Sequence, residues 1–246
     1  MSVPAHGQPA HDVRVGWGPT GAAAIATPVT VVVDVLSFTT TLTVAVDRGM
    51  TVFPFRWKDG RAVAYAAARD AVLAQGRSAR TGVSLSPVSV RAATGVERLV
   101  LPSPNGSAIS FTLAAAGATV VGASLRNRSA VARWLAGRPR PIGIVAAGER
   151  WPDGSLRPAV EDLWGAGAVV AALVDLGVTG LSPEARVAEH AFRAVAPQLA
   201  GELDACASGQ ELIGMGFAGD VAVAAELDRS DVVPVLRGDA FVDAGR

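Results

Sequence analysis

Three polar segments of this 246-residue chain carry residue types suited to binding phosphate or a metal ion. In the first segment, a β-branched apolar run ends at Asp34 and is followed by several hydroxyl side chains, among them Ser37, Thr39 and Thr40. Such a run is typical of a buried strand. Polar groups between a strand and a helix start can bind an anion or a metal. Asp34 or Ser37 could equally do no more than cap the helix.

The second segment is Asn105-Gly106-Ser107, which follows another apolar run and precedes a predicted helix. Backbone N–H groups in this position can face an anion. Asn-Gly is also an ordinary turn pair and Ser107 an ordinary N-cap, so this segment taken alone favours a simple turn.

The third segment begins at Glu149 and ends with the adjacent acids Glu161 and Asp162 at the start of an Ala-rich helix. Acids are favourable at a helix start through the helix dipole alone. Mg²⁺ commonly binds one or two carboxylates together with phosphate oxygens of a substrate. Asp34 and one acid of the pair would meet that requirement if the fold brings them together.

Several other chemistries are excluded by what the chain lacks. Its single cysteine, Cys206, has no Arg six positions later, and its three histidines are too scattered for a zinc cluster. The chain has no G-x-S-x-G elbow and no Walker A loop. Residues 16–21 match G-x-G-x-x-G, but Pro19 and the short helix that follows favour a surface turn over a nucleotide site. Hydrolysis would therefore rely on metal-activated water and electrostatic stabilisation.

Composition limits the partners and the location of the protein. The formal net charge is zero, which gives no electrostatic case for nucleic-acid binding. The apolar runs are shorter than the ~18 residues needed to cross a bilayer, so no membrane partner is expected. A single cysteine excludes an internal disulfide and is compatible with a reducing, cytoplasmic location.

Alternating strand and helix patterns predict an α/β fold with a mostly parallel sheet and flanking helices. The predicted helices include 59–75, 161–176 and 183–199, residues 76–97 are predicted as a loop with one short strand, and residues 232–242 as a terminal hairpin. Residues 1–12 are expected to form a loose tail and 13–246 one domain. If the chain has two lobes, the boundary lies near 147–160. The three polar segments should meet at the edge where the parallel strands end.

The polar segments and the C-terminal part of the chain, in this order, resemble the 2-phosphosulfolactate phosphatase family, the ComB-like phosphatases of coenzyme M biosynthesis. The likeness spans about Thr30 to Phe241. The matching residues are Val33–Leu36 with Thr39–Thr41, Ser103–Ser107, Ala146–Glu149, Val160–Ala168, Gly216–Val221 and Asp231–Leu236.

The resemblance implies a Mg²⁺-dependent phosphoric monoester hydrolase with a ComB-like α/β fold, acting on a small phosphorylated acid such as 2-phosphosulfolactate. Carried over by position, Asp34, Glu161 and Asp162 are the expected metal ligands or general base. The expected phosphate- and substrate-binding residues are Ser37, Thr39, Thr40, Asn105, Gly106, Ser107 and Glu149.

This chain departs from the family at one position suited to anion binding. The family usually has Arg where this chain has Ser37, and Ala where it has Phe38. Arg binds phosphate or carboxylate through two parallel hydrogen bonds. Its loss indicates a different substrate, a substitute such as Arg56 or Arg126, or weakened catalysis. The alternative function is therefore an anion-binding protein on the same fold, and exposed Ala-rich helices leave room for a homodimer.

Overall fold

Alternating strands and helices form an α/β fold around a nine-stranded, mostly parallel sheet, which confirms the predicted fold class. The computed structural model describes residues 4–56, 60–77, 79 and 82–245. The strands are β1 (Val13–Trp17), β2 (Val29–Val33), β3 (Thr51–Phe55), β4 (Val72–Leu73), β5 (Arg98–Pro102), β6 (Thr119–Ala123), β7 (Ile142–Ala146), β8 (Glu149–Arg150), β9 (Leu156–Arg157), β10 (Pro234–Arg237) and β11 (Ala240–Asp243). The helices are α1 (Gly18–Ala24), α2 (Phe38–Asp47), α3 (Arg61–Ala67), α4 (Pro87–Ala92), α5 (Gly106–Ala115), α6 (Arg128–Ala136), α7 (Val160–Asp175), α8 (Pro183–Val195), α9 (Leu199–Ala205), α10 (Ala207–Gly214) and α11 (Ala218–Ala224).

The sheet consists of two parallel blocks that run in opposite directions. Its strand order is β1-β7-β2-β6-β10-β11-β3-β5-β4. The first four strands are mutually parallel, as are the last three. Three neighbouring strand pairs between the blocks are antiparallel: β6 with β10, β10 with β11, and β11 with β3. The strands of the second block therefore run opposite to those of the first. The ends of β2 and β5 therefore do not lie at one common edge, contrary to the prediction.

The sheet curls so that the ends of β2 and β5 meet. Five strand-to-strand steps separate β2 from β5, which would place them about 24 Å apart in a flat sheet. Yet Gly106, just after β5, donates a backbone hydrogen bond to Asp34, just after β2. Helix α2 lies within the curl, where it contacts strands of both blocks and is buried from Phe38 to Val46.

Strand β2 is buried on both faces, as expected of a central strand in a parallel block. Val31 and Val33 belong to a core that includes α6, α7 and α8, whereas Val32 belongs to a second core that includes α2 and α5. Gly165 in α7 lies against Val33 and leaves no room for a Cβ atom there. This close packing sets the first turn of α7 beside the end of β2.

Some predicted elements were placed wrongly. The helix predicted over 59–75 ends at Ala67, and Asp59 lies outside the described residues. Asp70 has a positive φ of 48°, and the chain turns there into β4 to pair with β5. The predicted loop at 76–97 contains α4, the predicted turn at 16–21 is the end of β1 and the start of α1, and the helix predicted to reach 199 ends at Val195.

The predicted terminal hairpin is confirmed as β10 and β11, paired from Pro234 with Asp243 to Arg237 with Ala240. In the predicted tail, Pro4–Gly7 form a 3-10 turn and the Gln8 side chain bonds the backbone of β1. Residues 147–160 contain the separate β8–β9 hairpin. Among the helices that the structure describes, none is both long and apolar enough to cross a bilayer.

Candidate active site

Asp34 is held at the end of β2 by the starts of two helices. Its Oδ1 accepts a hydrogen bond from the Phe38 backbone N–H at 3.1 Å, and its Oδ2 accepts one from the Gly106 N–H at 2.9 Å. The side chain is only 4% exposed. A Cβ atom at position 106 would collide with the Phe38 ring and Asp34 Oδ2, so only glycine allows this approach. The two helix starts thereby fix the orientation of the carboxylate.

The predicted phosphate ligands Thr39 and Thr40 do not reach the site cavity. Thr39 Oγ1 donates to the Asp34 carbonyl at 2.8 Å and accepts from the Asp34 N–H at 2.9 Å. Thr40 Oγ1 donates to the Val35 carbonyl at 2.7 Å. Both threonines are fully buried. Their hydroxyls therefore hold the backbone that follows β2.

The segment after β5 contributes Ser103 and Asn105 to the cavity. Asn105 Nδ2 donates to Glu149 Oε2 at 2.9 Å, which joins two of the predicted segments. Ser107 faces the other way: its Oγ donates to the Leu101 carbonyl and the residue is fully buried. Asn105 thus lines the cavity, whereas Ser107 holds the turn.

Asp162 joins the loops that follow β2 and β7. Its Oδ1 accepts from the Val35 N–H at 2.7 Å and its Oδ2 from the Gly148 N–H at 2.8 Å. Its neighbour Glu161 is also buried. Burial raises the pKa of the Cys206 thiol, and the charge of Glu161 adds to that increase. Neither acid is among the residues that line the cavity.

Four carboxylates concentrate negative charge in this buried region. Burial is the main cause that raises the pKa of Asp34 above its ordinary value, and the charge of Glu161 adds to it. Burial, followed by the charges of Asp34 and Glu161, raises the pKa of Asp162 well above its ordinary value. Burial and the Asp34 charge raise the pKa of Glu149 to about 7. Such a cluster favours the arrival of a cation.

The cavity has a volume of about 220 Å³. Arg77 is the one basic residue among the described residues that line it. Its Nε donates to Asp220 Oδ2 at 3.0 Å and its Nη2 donates to Ser37 Oγ, while Ser86 Oγ donates to the other Asp220 oxygen. The lining residues are Asp34, Leu36, Ser37, Phe38, Arg77, Leu85, Leu101, Pro102, Ser103, Pro104, Asn105, Glu149, Ser208, Glu211, Leu212 and Met215.

The model of one protein family, 2-phosphosulpholactate phosphatase, matches residues 20–239. The chain belongs to this family. It is 32% identical over 225 residues to a probable 2-phosphosulfolactate phosphatase of Deinococcus radiodurans, covering 88% of this chain and 91% of the relative. A protein of the same name from Carboxydothermus hydrogenoformans is 30% identical over 149 residues, 61% of this chain and 59% of that protein. The family is thus one of phosphoric monoester hydrolases, which confirms the resemblance read from the sequence.

The family usually has Arg at the position of Ser37. The sequence suggested Arg56 or Arg126 as one way in which this chain could replace that Arg. Neither lines the cavity: Arg56 lies over the Phe111 ring, and Arg126 pairs with acids elsewhere. Arg77 supplies the guanidinium that lies beside Ser37. No sequence motif distinguishes Arg77 from the other arginines, so sequence reasoning missed it.

Helix α10 also contributes residues that the sequence did not single out. Ser208, Glu211, Leu212 and Met215 follow the spacing of one helical face and line the cavity. That spacing is visible in the sequence, but the segment was not predicted as a helix. These side chains line a part of the cavity to which the three polar segments predicted from the sequence do not contribute.

Among the described residues, no group of three or more His, Cys, Asp and Glu side chains is arranged to hold a metal ion. A Mg²⁺ site needs fewer protein ligands, because water and substrate phosphate fill the other positions. Asp34 and Glu149 both line the cavity, and their raised pKa values reflect carboxylates with little compensating positive charge. This donor set fits Mg²⁺ bound jointly by the protein and a phosphorylated substrate.

Proposed function

We propose that this protein is a Mg²⁺-dependent phosphatase that hydrolyses a small anionic phosphomonoester, such as 2-phosphosulfolactate, to the hydroxy acid and phosphate. One observation carries the proposal: the Asp34 carboxylate is fixed by two helix starts at a polar cavity. Membership of the 2-phosphosulpholactate phosphatase family supports it.

The phosphoryl group would lie near the start of α5. Backbone N–H groups at a helix start favour an anion, and Ser103 and Asn105 line the cavity beside this helix. Asn105 is itself oriented by its hydrogen bond to Glu149. This arrangement would hold the phosphate while its bond to the leaving oxygen breaks.

Asp34 and Glu149 would hold the Mg²⁺ ion. When bound, the ion would neutralise charge on the phosphate oxygens and make a bound water more acidic. Asp162 would act indirectly, because its hydrogen bonds to Val35 and Gly148 fix the loops that carry Asp34 and Glu149. The binding of metal by Glu161 and Asp162 stays a prediction.

Arg77 would bind the acidic group of the substrate that is not transferred. Asp220 and Ser37 each accept one hydrogen bond from Arg77. A guanidinium has five N–H groups, so others would be left to bind a ligand. A carboxylate or sulfonate placed there would receive charge-assisted hydrogen bonds. Phosphate transfer would then proceed on a substrate held at both ends.

The first test is phosphate release from a panel of small phosphorylated acids, 2-phosphosulfolactate included, with Mg²⁺ and with a chelator. We expect release that the chelator abolishes. Asp34→Asn should lower kcat/KM by about 100-fold or more, since electrostatic stabilisation is a large part of phosphoryl transfer. The exposed Asp204 provides the matched control, and Asp204→Asn should leave release unchanged.

The second candidate function is anion binding without turnover, which Ser37 in place of the family Arg favours. Retained binding of the same phosphoesters without release under any divalent metal would establish it. Metal-dependent release that Asp34→Asn leaves unchanged would contradict the proposed mechanism. The absence of a nucleic-acid partner, the homodimer and the cytoplasmic location also stay predictions.

A further inference from the structure

The segment Gly216–Val221, one of those that resemble the family, carries an acid that is buried outside the cavity lining. Asp220 lies in the first turn of α11 and is only 1% exposed. No residue of this segment is among the described residues that line the cavity. Burying a carboxylate costs free energy unless it is paired and hydrogen-bonded. The partners of Asp220 therefore indicate what the residue does.

Both oxygens of the Asp220 carboxylate accept hydrogen bonds. Oδ2 accepts from Arg77 Nε at 3.0 Å, and Oδ1 accepts from Ser86 Oγ. Ser86 is in turn the N-cap of α4, where its Oγ accepts from the Ser89 N–H at 3.3 Å. The carboxylate is thus fixed between α11 and the start of α4.

Arg77 belongs to the connection between β4 and α4, which is anchored on both sides of this residue. The Gln75 N–H donates to the Val83 carbonyl and the Leu85 N–H donates to the Gln75 carbonyl, each at 2.9 Å. Thr41 Oγ1 of α2 donates to the Leu85 carbonyl at 3.0 Å. The backbone on either side of Arg77 is therefore tied together and held beside α2.

The Arg77 side chain needs partners to keep one orientation at the cavity. It has many rotatable bonds, and 21% of it is exposed. Asp220 accepts from Nε and Ser37 accepts from Nη2, so the bond to Asp220 joins the guanidinium to a buried charge. Without Asp220, only the Ser37 hydroxyl of these two partners would remain, and the guanidinium would lose its fixed position.

We propose that Asp220 is a positioning residue, which holds the Arg77 guanidinium where it binds the acidic group of the substrate that is not transferred. Asp220 would act through Arg77, because Arg77 lines the cavity and Asp220 does not. It would thereby help to select phosphomonoesters that carry a second acidic group. This inference rests on the proposed phosphatase function and names a further residue that sets its specificity.

Positioning and charge predict opposite effects of removing the Asp220 charge. If the carboxylate acted only through its charge, its removal would strengthen the attraction of the site for every anion, inorganic phosphate included. If it holds Arg77 in place, its removal weakens the binding of the remote acidic group and changes the binding of inorganic phosphate little. Asp220→Asn separates the two effects, since it keeps the side-chain shape and removes the charge.

The test is a double-mutant cycle of Asp220→Asn and Arg77→Gln, with phosphate release from 2-phosphosulfolactate measured in the presence of Mg²⁺. Asp220→Asn alone should raise KM by about tenfold or more, as expected for a lost charge-assisted hydrogen bond, and change kcat by less than about threefold. The inhibition constant of inorganic phosphate should change by less than about threefold. In the Arg77→Gln background, Asp220→Asn should change KM by less than about twofold, because no guanidinium is left to position.

Three results would overturn the proposal. An equal increase in KM with and without Arg77 would show that Asp220 acts through the fold alone. A lower KM together with stronger inhibition by phosphate would show that it acts through its charge. An unchanged KM would show that Arg77 does not depend on it.

Asp239 provides a matched control. Its Oδ2 accepts from Arg69 Nε at 2.9 Å, much as that of Asp220 accepts from Arg77. Asp239 is half exposed, however, and neither residue of this pair lines the cavity. Asp239→Asn should therefore leave KM and kcat unchanged.

A second variant keeps the test available if Asp220→Asn does not fold, as judged by circular dichroism. Ser86→Ala removes the other hydrogen bond of the Asp220 carboxylate and leaves its charge. It should raise KM for 2-phosphosulfolactate by about two- to fivefold when Arg77 is present. The same increase in the Arg77→Gln background would overturn the proposal.

The failure of this inference is distinguishable from that of the proposed function. If the parent protein releases no phosphate, hydrolysis fails as the function, and calorimetry with Mg²⁺ then gives the dissociation constants of 2-phosphosulfolactate and inorganic phosphate. Binding of 2-phosphosulfolactate that Asp220→Asn weakens only while Arg77 is present would support the inference. No binding, or binding that the substitution leaves unchanged or weakens equally without Arg77, would overturn it.

Discussion

Asp162 illustrates how a buried carboxylate outside the cavity lining can hold the loops of a site together. Each of its oxygens accepts one backbone N–H, from Val35 and from Gly148. Removing such a partner would leave buried N–H groups unpaired at a cost of about 1–3 kcal/mol each. The carboxylate thus connects the loops that follow β2 and β7. Asp34 and Glu149, each next in sequence to one of the bonded N–H groups, line the cavity.

Residue type and position beside a strand end made Asp34, Asn105 and Glu149 candidates, and all three line the cavity. Hydroxyl side chains were harder to assign. A buried hydroxyl must find a hydrogen-bond partner, and for Thr39 and Ser107 the nearest one is a backbone carbonyl. A sequence cannot distinguish a threonine that bonds its own loop from one that binds phosphate.

Cys206 allows a prediction at the residue scale. Burial and the charge of Glu161 raise its thiol pKa from 9.0 to about 11, so little thiolate forms at neutral pH. At pH 8, alkylation by iodoacetamide should be at least about 100-fold slower in the folded protein than in urea, as followed by mass spectrometry.

Glu161→Gln provides the comparison for this prediction. It removes the neighbouring charge, so the folded variant should react faster than the parent protein. Folded and unfolded rates within about threefold of each other would show that the thiol is neither buried nor perturbed in solution.

At the scale of elements, α7 is positioned by glycines on two of its faces. Gly165 packs on Val33, and Gly167 lies so close to the Ala188 carbonyl in α8 that a Cβ atom would overlap it. The first turn of α7 carries Asp162. Close packing between the two helices therefore helps to fix the position of that carboxylate against the loops that follow β2 and β7.

Gly167→Ala should destabilise the protein because a backbone carbonyl cannot yield as a side chain can. We expect a loss of about 1–3 kcal/mol or more in the free energy of unfolding, measured in urea. Gly201 in α9 has no atom near its missing Cβ, and Gly201→Ala should add up to about 1 kcal/mol. Equal effects of the two substitutions would contradict the close contact.

Hydrophobic patterns in the sequence predicted the apolar elements β2 and α7 well. They failed where tertiary pairing decided the outcome. The Ala-rich stretch after Ala67 has helical composition, yet it leaves the helix and Val72 and Leu73 pair with β5. The residues that pair are 27 positions apart in the sequence, so a local pattern does not reveal the pairing.

At the scale of the whole molecule, one hairpin holds the two parallel blocks together. β10 pairs with β6 and β11 pairs with β3. Phe241 in β11 is fully buried and meets the Phe38 ring edge-on, with centroids 6.3 Å apart. The hairpin therefore contacts the start of α2, whose N–H bonds Asp34.

Phe241→Ala should lower the free energy of unfolding by about 3–5 kcal/mol and reduce phosphatase activity as well, because Phe38 loses its support. Phe241→Leu keeps most of the apolar volume and should lose less of both. Urea titrations followed by circular dichroism, with phosphate release measured in parallel, provide the readouts. A loss of stability with unchanged activity would show that the hairpin and the site are independent.

The sequence predicted a mostly parallel sheet and a terminal hairpin, but it could not predict where the hairpin lies. Nothing local indicates that β10 and β11 enter the middle of the sheet and reverse the second block. The meeting of Asp34 with Gly106 depends on that insertion and on the curl, both of which are properties of the complete chain.

The central place of the hairpin also has a consequence during synthesis on the ribosome. Strands β1 to β7 emerge first, yet the two blocks they form are joined in the sheet only by residues 234–243. Until those residues leave the exit tunnel, the nascent chain exposes the open edges of β6 and β3, which are templates for unwanted pairing. The two blocks can therefore be joined, and the open edges of β6 and β3 covered, only after residues 234–243 have left the ribosome.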